Sequence, residues 1–171
     1  MLPLLGAATF LVAALTVLSG FGVGTLLTPL LALFYPVKTA VVSVALIHFS
    51  NNLFKLYLFR EWVAWRVVGR FGLLSVAGSL LGAVLLTQVA AHYVQGALGL
   101  VLVAVGLAEL SAAAPALRMP EWPGSDLTLG FASGFLGGLV GEQGVVRAAY
   151  LLGARLERES FVATAAAIST A

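Results

Sequence analysis

The chain has 171 residues, 61% hydrophobic and only 9% charged, where soluble domains carry roughly a quarter charged residues. A net charge of +2, from 9 Lys and Arg against 7 Asp and Glu, leaves no basic surface for nucleic acid. The absence of cysteine excludes disulfides, thiolate metal sites and thiol redox chemistry from this stretch. Apolar runs recur at lengths suited to a hydrocarbon core of about 30 Å, which takes about 20 helical residues to cross. Composition therefore defines an all-α, polytopic membrane protein, and its 19 glycines suit helices that approach closely in lipid.

Leu2 to Ser19 reads as a first apolar helix. It carries no Lys or Arg, which argues against a cleaved signal peptide. Gly20-Phe21-Gly22-Val23-Gly24 interrupts it, and Thr25 to Tyr35 resumes the apolar pattern for 11 residues, about 16 Å of helix. Thr28-Pro29 has the chemistry of an N-cap followed by the first helical position. Leu2 to Tyr35 is thus a broken or re-entrant pair. Val37 to Phe59 is a full span with His48, Asn52 and Lys55 on one stripe and Asn51 beside it. Arg60, Glu61, Arg66 and Arg70, with Trp62 and Trp65 between them, form a basic loop with an aromatic belt, cytoplasmic by the positive-inside rule. Phe71 to Val89 is the next span, with a close-packing face of Gly78, Gly82, Ser75 and Ser79. Tyr93 to Leu110, with Gly96, Gly99 and Gly106, is another.

Residues 112–126 hold Pro115, Pro120, Pro123 and Gly124 and read as a connector. It separates a first transmembrane repeat, residues 1–111, from the start of a second, residues 127–171. In the second, a short apolar piece from Leu127 reaches a break at Gly137 to Gly144, and another runs Val145 to Gly153. Arg155, Glu157, Arg158 and Glu159 form a charged loop before a span beginning at Ser160. The Gly141–Gly144 region answers Gly20–Gly24, and Phe161-Val162-Ala163-Thr164 answers Ala40-Val41-Val42-Ser43, each about 120 residues on. A half-membrane pair plus three full spans makes an odd number of crossings, so the repeats are expected to be inverted, with both basic loops cytoplasmic. C-terminal helices of a longer parent, or a second copy in a homo-oligomer, are expected to complete the second repeat.

The second break places four glycines, Glu142, Gln143 and Arg147 within an apolar segment. Unwound backbone is tolerated in a membrane only when buried in protein or lining a watery cavity. Gly141 and Gly144 can offer N–H groups at the start of the following half-helix, where the dipole favours an anion. Gln143 adds amide donors, and Arg147, about one turn inside that helix, can present a bidentate fork to a sulfo or carboxyl group. The alternative is that the glycines pack helices and Arg147 pairs with Glu142. If that pair opens when an anion arrives, Glu142 becomes free to take a proton, a route to proton coupling in which His48 is a second candidate. At the first break Gly22 and Gly24 can contribute only backbone dipoles. Asn51 and Asn52 are expected to face the interior, as pathway lining or as interhelical hydrogen bonds, while Lys55 snorkels to the surface.

Gly20-Phe21-Gly22-Val23-Gly24 through Pro29-Leu30-Leu31, and Gly141-Glu142-Gln143-Gly144-Val145-Val146-Arg147-Ala148-Ala149, resemble the TauE/SafE sulfite exporter family of membrane permeases. Asn51-Asn52-Leu53-Phe54-Lys55 and Phe161-Val162-Ala163-Thr164-Ala165 are similar to it as well. The resemblance implies inverted repeats and secondary transport of a small anion such as sulfite or an organosulfonate across the cytoplasmic membrane. It implies no cofactor, and its partners are the anion and the lipid bilayer. A non-transporting membrane subunit and a passive anion channel are the competing readings. There is no metal-ligand spacing, no GxSxG elbow, and no Lys-Ser/Thr after the glycines to make a P-loop, so the sequence does not read as an enzyme or an ATP-driven pump.

Overall fold

The computed structural model describes residues 23–110 and 124–170. The first apolar run, Gly20, Gly22 and residues 112–123 of the connector lie outside the described residues. Those described form seven helices and no strand: α1 (Val23–Ala32), α2 (Val37–Phe59), α3 (Trp65–Gln88), α4 (Ala91–Leu110), α5 (Ser125–Val140), α6 (Gly144–Gly153) and α7 (Arg158–Thr170). Helices α2 and α3 are long and apolar enough to cross a membrane. Large apolar side chains such as Leu33, Leu46, Leu73, Leu80 and Leu100 lie on the outside, as an all-α protein solvated by lipid requires.

Several boundaries differ from the sequence expectation. Helix α1 begins at Val23, so Pro29 sits inside it and Thr28 is not its cap. Proline removes one backbone donor there, a loss membrane helices tolerate where neighbouring groups compensate. The basic segment is mostly helical. Arg60–Trp62 is a single 3-10 turn, Val63–Ala64 the link, and Arg66 and Arg70 already belong to α3. The link is tied down because the Ala64 amide donates to Thr164 Oγ1 at 3.0 Å. Arg158 and Glu159 likewise belong to the first turn of α7, and α5 starts at Ser125. The second break is also narrower than the glycine pattern suggests, since Gly137 and Gly138 are helical and only Gly141–Gln143 lies between α5 and α6.

Two helix boundaries recur at one spacing in the folded chain. Ala32 to Gly153 and Val37 to Arg158 are each 121 residues apart (153 less 32, 158 less 37). Helix α7 runs antiparallel to its counterpart α2. Its Ala163 and Ala167 pack near Leu56 and Phe59 at the end of α2, while Ser169 and Thr170 reach a cleft shared with Val41, Val44 and His48 in the first half of α2.

Helices α3 and α5 form the closest pairing. They run parallel, with Gly130, Gly134 and Gly138 of α5 placed against the backbone of Phe71, Ser75 and Ser79. In return Gly78 and Gly82 of α3 sit against Phe131 and Phe135. A Cβ at any of these positions would overlap a carbonyl oxygen of the neighbouring helix. Backbone contact of this kind supplies dispersion attraction where lipid offers no hydrophobic driving force. Gly96, Gly99 and Gly106 of α4 have open space instead. Gly134→Ala is therefore expected to destabilise the protein by about 1–3 kcal/mol through overpacking. Gly99→Ala should be neutral or stabilising by about 0.5–1 kcal/mol, and thermal unfolding in detergent compares the two.

Candidate functional site

The break between α5 and α6 is made by one left-handed residue. Gly141 has φ 77° and donates its amide to the Gly137 carbonyl at 3.0 Å, while the Glu142 amide reaches Leu136 at 3.4 Å. A side chain is strained at that φ, so glycine is required. The chain then turns back, and Glu142 Oε1 accepts from the Gly144 amide at 2.9 Å. The carboxylate thus caps the start of α6 from within, where it also meets the positive end of the helix dipole. The Gln143 carbonyl accepts from the Ser133 hydroxyl at 3.0 Å and from the Arg147 amide at 3.3 Å.

Protein encloses the break on several sides. Val140 is fully buried among Val37, Val41, Leu86, Val94 and Leu98. Thr28 of α1 lies against Gly141, its Oγ1 3.1 Å from where a Cβ would stand. That hydroxyl is fully buried and has no hydrogen-bond partner among the described residues. The first half-helix therefore meets the second break directly. Arg147 is also buried, and its guanidinium donates to Ser169 Oγ, which in turn donates to the Ala165 carbonyl at 2.9 Å.

A cavity of about 480 Å³ opens beside the break. His48 of α2, Ser75 and Ser79 of α3, Gly137, Gly138, Gly141 and Gln143 at the break, and Ser169 and Thr170 of α7 line it, with Val41, Val44 and Ile168 as apolar wall. No carboxylate lines it among the described residues. The Asn52 amide lies 3.2 Å from His48 Nδ1, a bond within α2 rather than between helices.

Of the residues singled out in the sequence, Gly141, Gln143 and His48 meet in the cleft. Arg147 stands one bond behind its wall through Ser169. Gly144 and Glu142 are engaged with each other, and Asn51 and Asn52 are not in the lining. Gly24 lies in the first turn of α1, and Gly22 is outside the described residues. Ser169 and Thr170 join the lining without any signal from local sequence pattern, and Ser75 and Ser79 serve the cleft as well as the close packing of α3. The repeat spacing carries the missing signal, because His48 advanced by 121 is Ser169, and both positions line the one cleft.

A helical membrane bundle with half-length helices at a break, beside an apolar cleft that carries a few polar side chains, has the architecture of a transporter. The family model for the TauE/SafE sulfite exporters matches residues 5–171, and the chain belongs to that family. No curated protein and no solved structure matches it. Because the Thr28 hydroxyl is buried with no partner among the described residues, Thr28→Val, nearly the same shape, is expected to raise stability by about 1–3 kcal/mol. The melting temperature in detergent without added anion measures this.

Proposed function

We propose that this protein is a secondary transporter of a small anion, with sulfite or an organosulfonate as the substrate class, in the cytoplasmic membrane. The observation that carries the reading is the buried Arg147, which stands one hydrogen bond behind the cleft wall through Ser169. Its guanidinium is a permanent positive charge, and an anion in the cleft is its complement. Burying charge in a membrane is costly unless it is paired, and such groups mark substrate pathways.

The available donors suit an oxyanion. Gln143 and Ser75, which carry an amide and a hydroxyl, are among the residues that line the cleft, and Arg147 needs only to leave Ser169 to add its fork. Membership of a permease family supports transport in general, and the antiparallel pairing of α2 with α7 at a constant spacing supports inverted repeats, with the cleft between corresponding positions. Because Glu142 holds the Gly144 amide, an anion approaching the α6 terminus competes with it. Protonation of Glu142 would weaken its hold and let the anion in, which couples the two.

Two measurements test this in proteoliposomes. Arg147→Gln is expected to weaken sulfite or isethionate affinity by about 10- to 100-fold, the worth of a hydrogen bond to a charged group, with Arg147→Lys falling between; unchanged saturable uptake in both variants would exclude Arg147 from the site. Glu142→Gln is expected to retain anion exchange and lose accumulation driven by a pH gradient. Persistence of that accumulation would remove Glu142 from the coupling.

A further inference from the structure

The glycines of α5 fall into two groups by what surrounds them. Gly130, Gly134 and Gly138 recur at every fourth residue, and a Cβ on each would overlap the backbone of α3. Gly137 is on another face. The atoms nearest to a Cβ there are the Cβ, Cδ and Cγ of Gln143, at 3.0, 3.4 and 3.4 Å. No positive φ calls for glycine at this position, as it does at Gly141. Alanine would ordinarily be preferred in the interior of a helix. One turn earlier on α5, the fully buried Ser133 donates its hydroxyl to the Gln143 carbonyl. Ser133 thus holds the backbone of Gln143, and Gly137 leaves the space its side chain fills.

We propose that Gly137 and Ser133 are positioning residues for Gln143, which hold its amide in the cleft for the transported anion. The inference rests on the anion-transport reading above. Glutamine has several rotors, and ordering it on binding costs conformational entropy. A side chain already laid against α5 has lost that freedom before the anion arrives, and such preorganisation raises affinity. A methyl group at position 137 would press on the stem of Gln143, including the Cβ fixed to the backbone. No rotation of the side chain moves its Cβ, so the break must shift by a few tenths of an ångström and carry the amide with it, while the contacts at Cγ and Cδ press the side chain towards another rotamer.

The test is a double-mutant cycle on the purified protein, with sulfite and isethionate as binding probes. Gly137→Ala is expected to weaken binding by about three- to tenfold, the size of one lost hydrogen bond, without lowering the melting temperature of the anion-free protein. Gly137→Ala added to Gln143→Ala is expected to have no further effect on affinity. Unchanged affinity in the single variant, additive losses in the double variant, or a large fall in melting temperature would each overturn the proposal, the last by making Gly137 a packing glycine like Gly134.

A second readout needs no ligand. In this cysteine-free chain, Gln143→Cys is labelled with a membrane-impermeant maleimide with and without Gly137→Ala. A labelling rate changed by about threefold or more supports the seat, and an unchanged rate overturns it. If the rate changes but the parent protein binds neither probe, the seat at Gly137 stands and the anion reading falls.

Discussion

Every backbone N–H and C=O placed in hydrocarbon must find its partner inside the protein, and the turn from Gly141 to Gln143 is where this fold meets that demand. The Gly141 and Glu142 amides return to carbonyls of α5, the Gly144 amide goes to a carboxylate, and the Gln143 carbonyl receives Ser133. The surrounding elements follow from protecting the turn. Helix α1 covers Gly141 with Thr28, α2 covers it with Val41, and Val140 is sealed among Val37, Leu86, Val94 and Leu98. Once covered on these sides, the turn has its open face toward the cleft.

The turn also needs a firm support, which the parallel pair α3 and α5 provides. Their glycines let the two backbones touch over several turns, so α5 carries the break from a nearly fixed base. The same contact brings Ser75 and Ser79 of α3 to the wall facing Gly137 and Gly138. Packing and chemistry are therefore coupled in this pair. The residues that bring the helices together also fix where the polar groups of α3 stand relative to the break.

Charge is distributed with equal economy. Arg147 is buried with its guanidinium on Ser169, and Glu142 lies close enough for its charge to be felt. His48 and Ser169, 121 residues apart, both reach the cleft, one an imidazole and the other a hydroxyl held by Arg147.

The sequence by itself determined the class and much of the chain plan. Apolar runs of sufficient length define spans from composition alone, so Val37–Phe59 and the half-length piece ending at Gly153 appear with the boundaries read from the sequence. The glycine cluster with Glu142, Gln143 and Arg147 located the break and the family. Local pattern could not place Pro29 inside a helix, because whether a proline starts or interrupts one depends on what replaces the missing bond. It could not separate Gly137 from Gly138 either, since adjacent glycines point to different faces and their neighbours come from different helices. Only the tertiary structure decided that Glu142 caps its own helix, that Arg147 reaches Ser169, and that Thr28 meets Gly141. Each of these joins elements or closes a turn, and contact across a fold depends on helix rotation and crossing, which a one-dimensional pattern of apolar residues leaves undetermined.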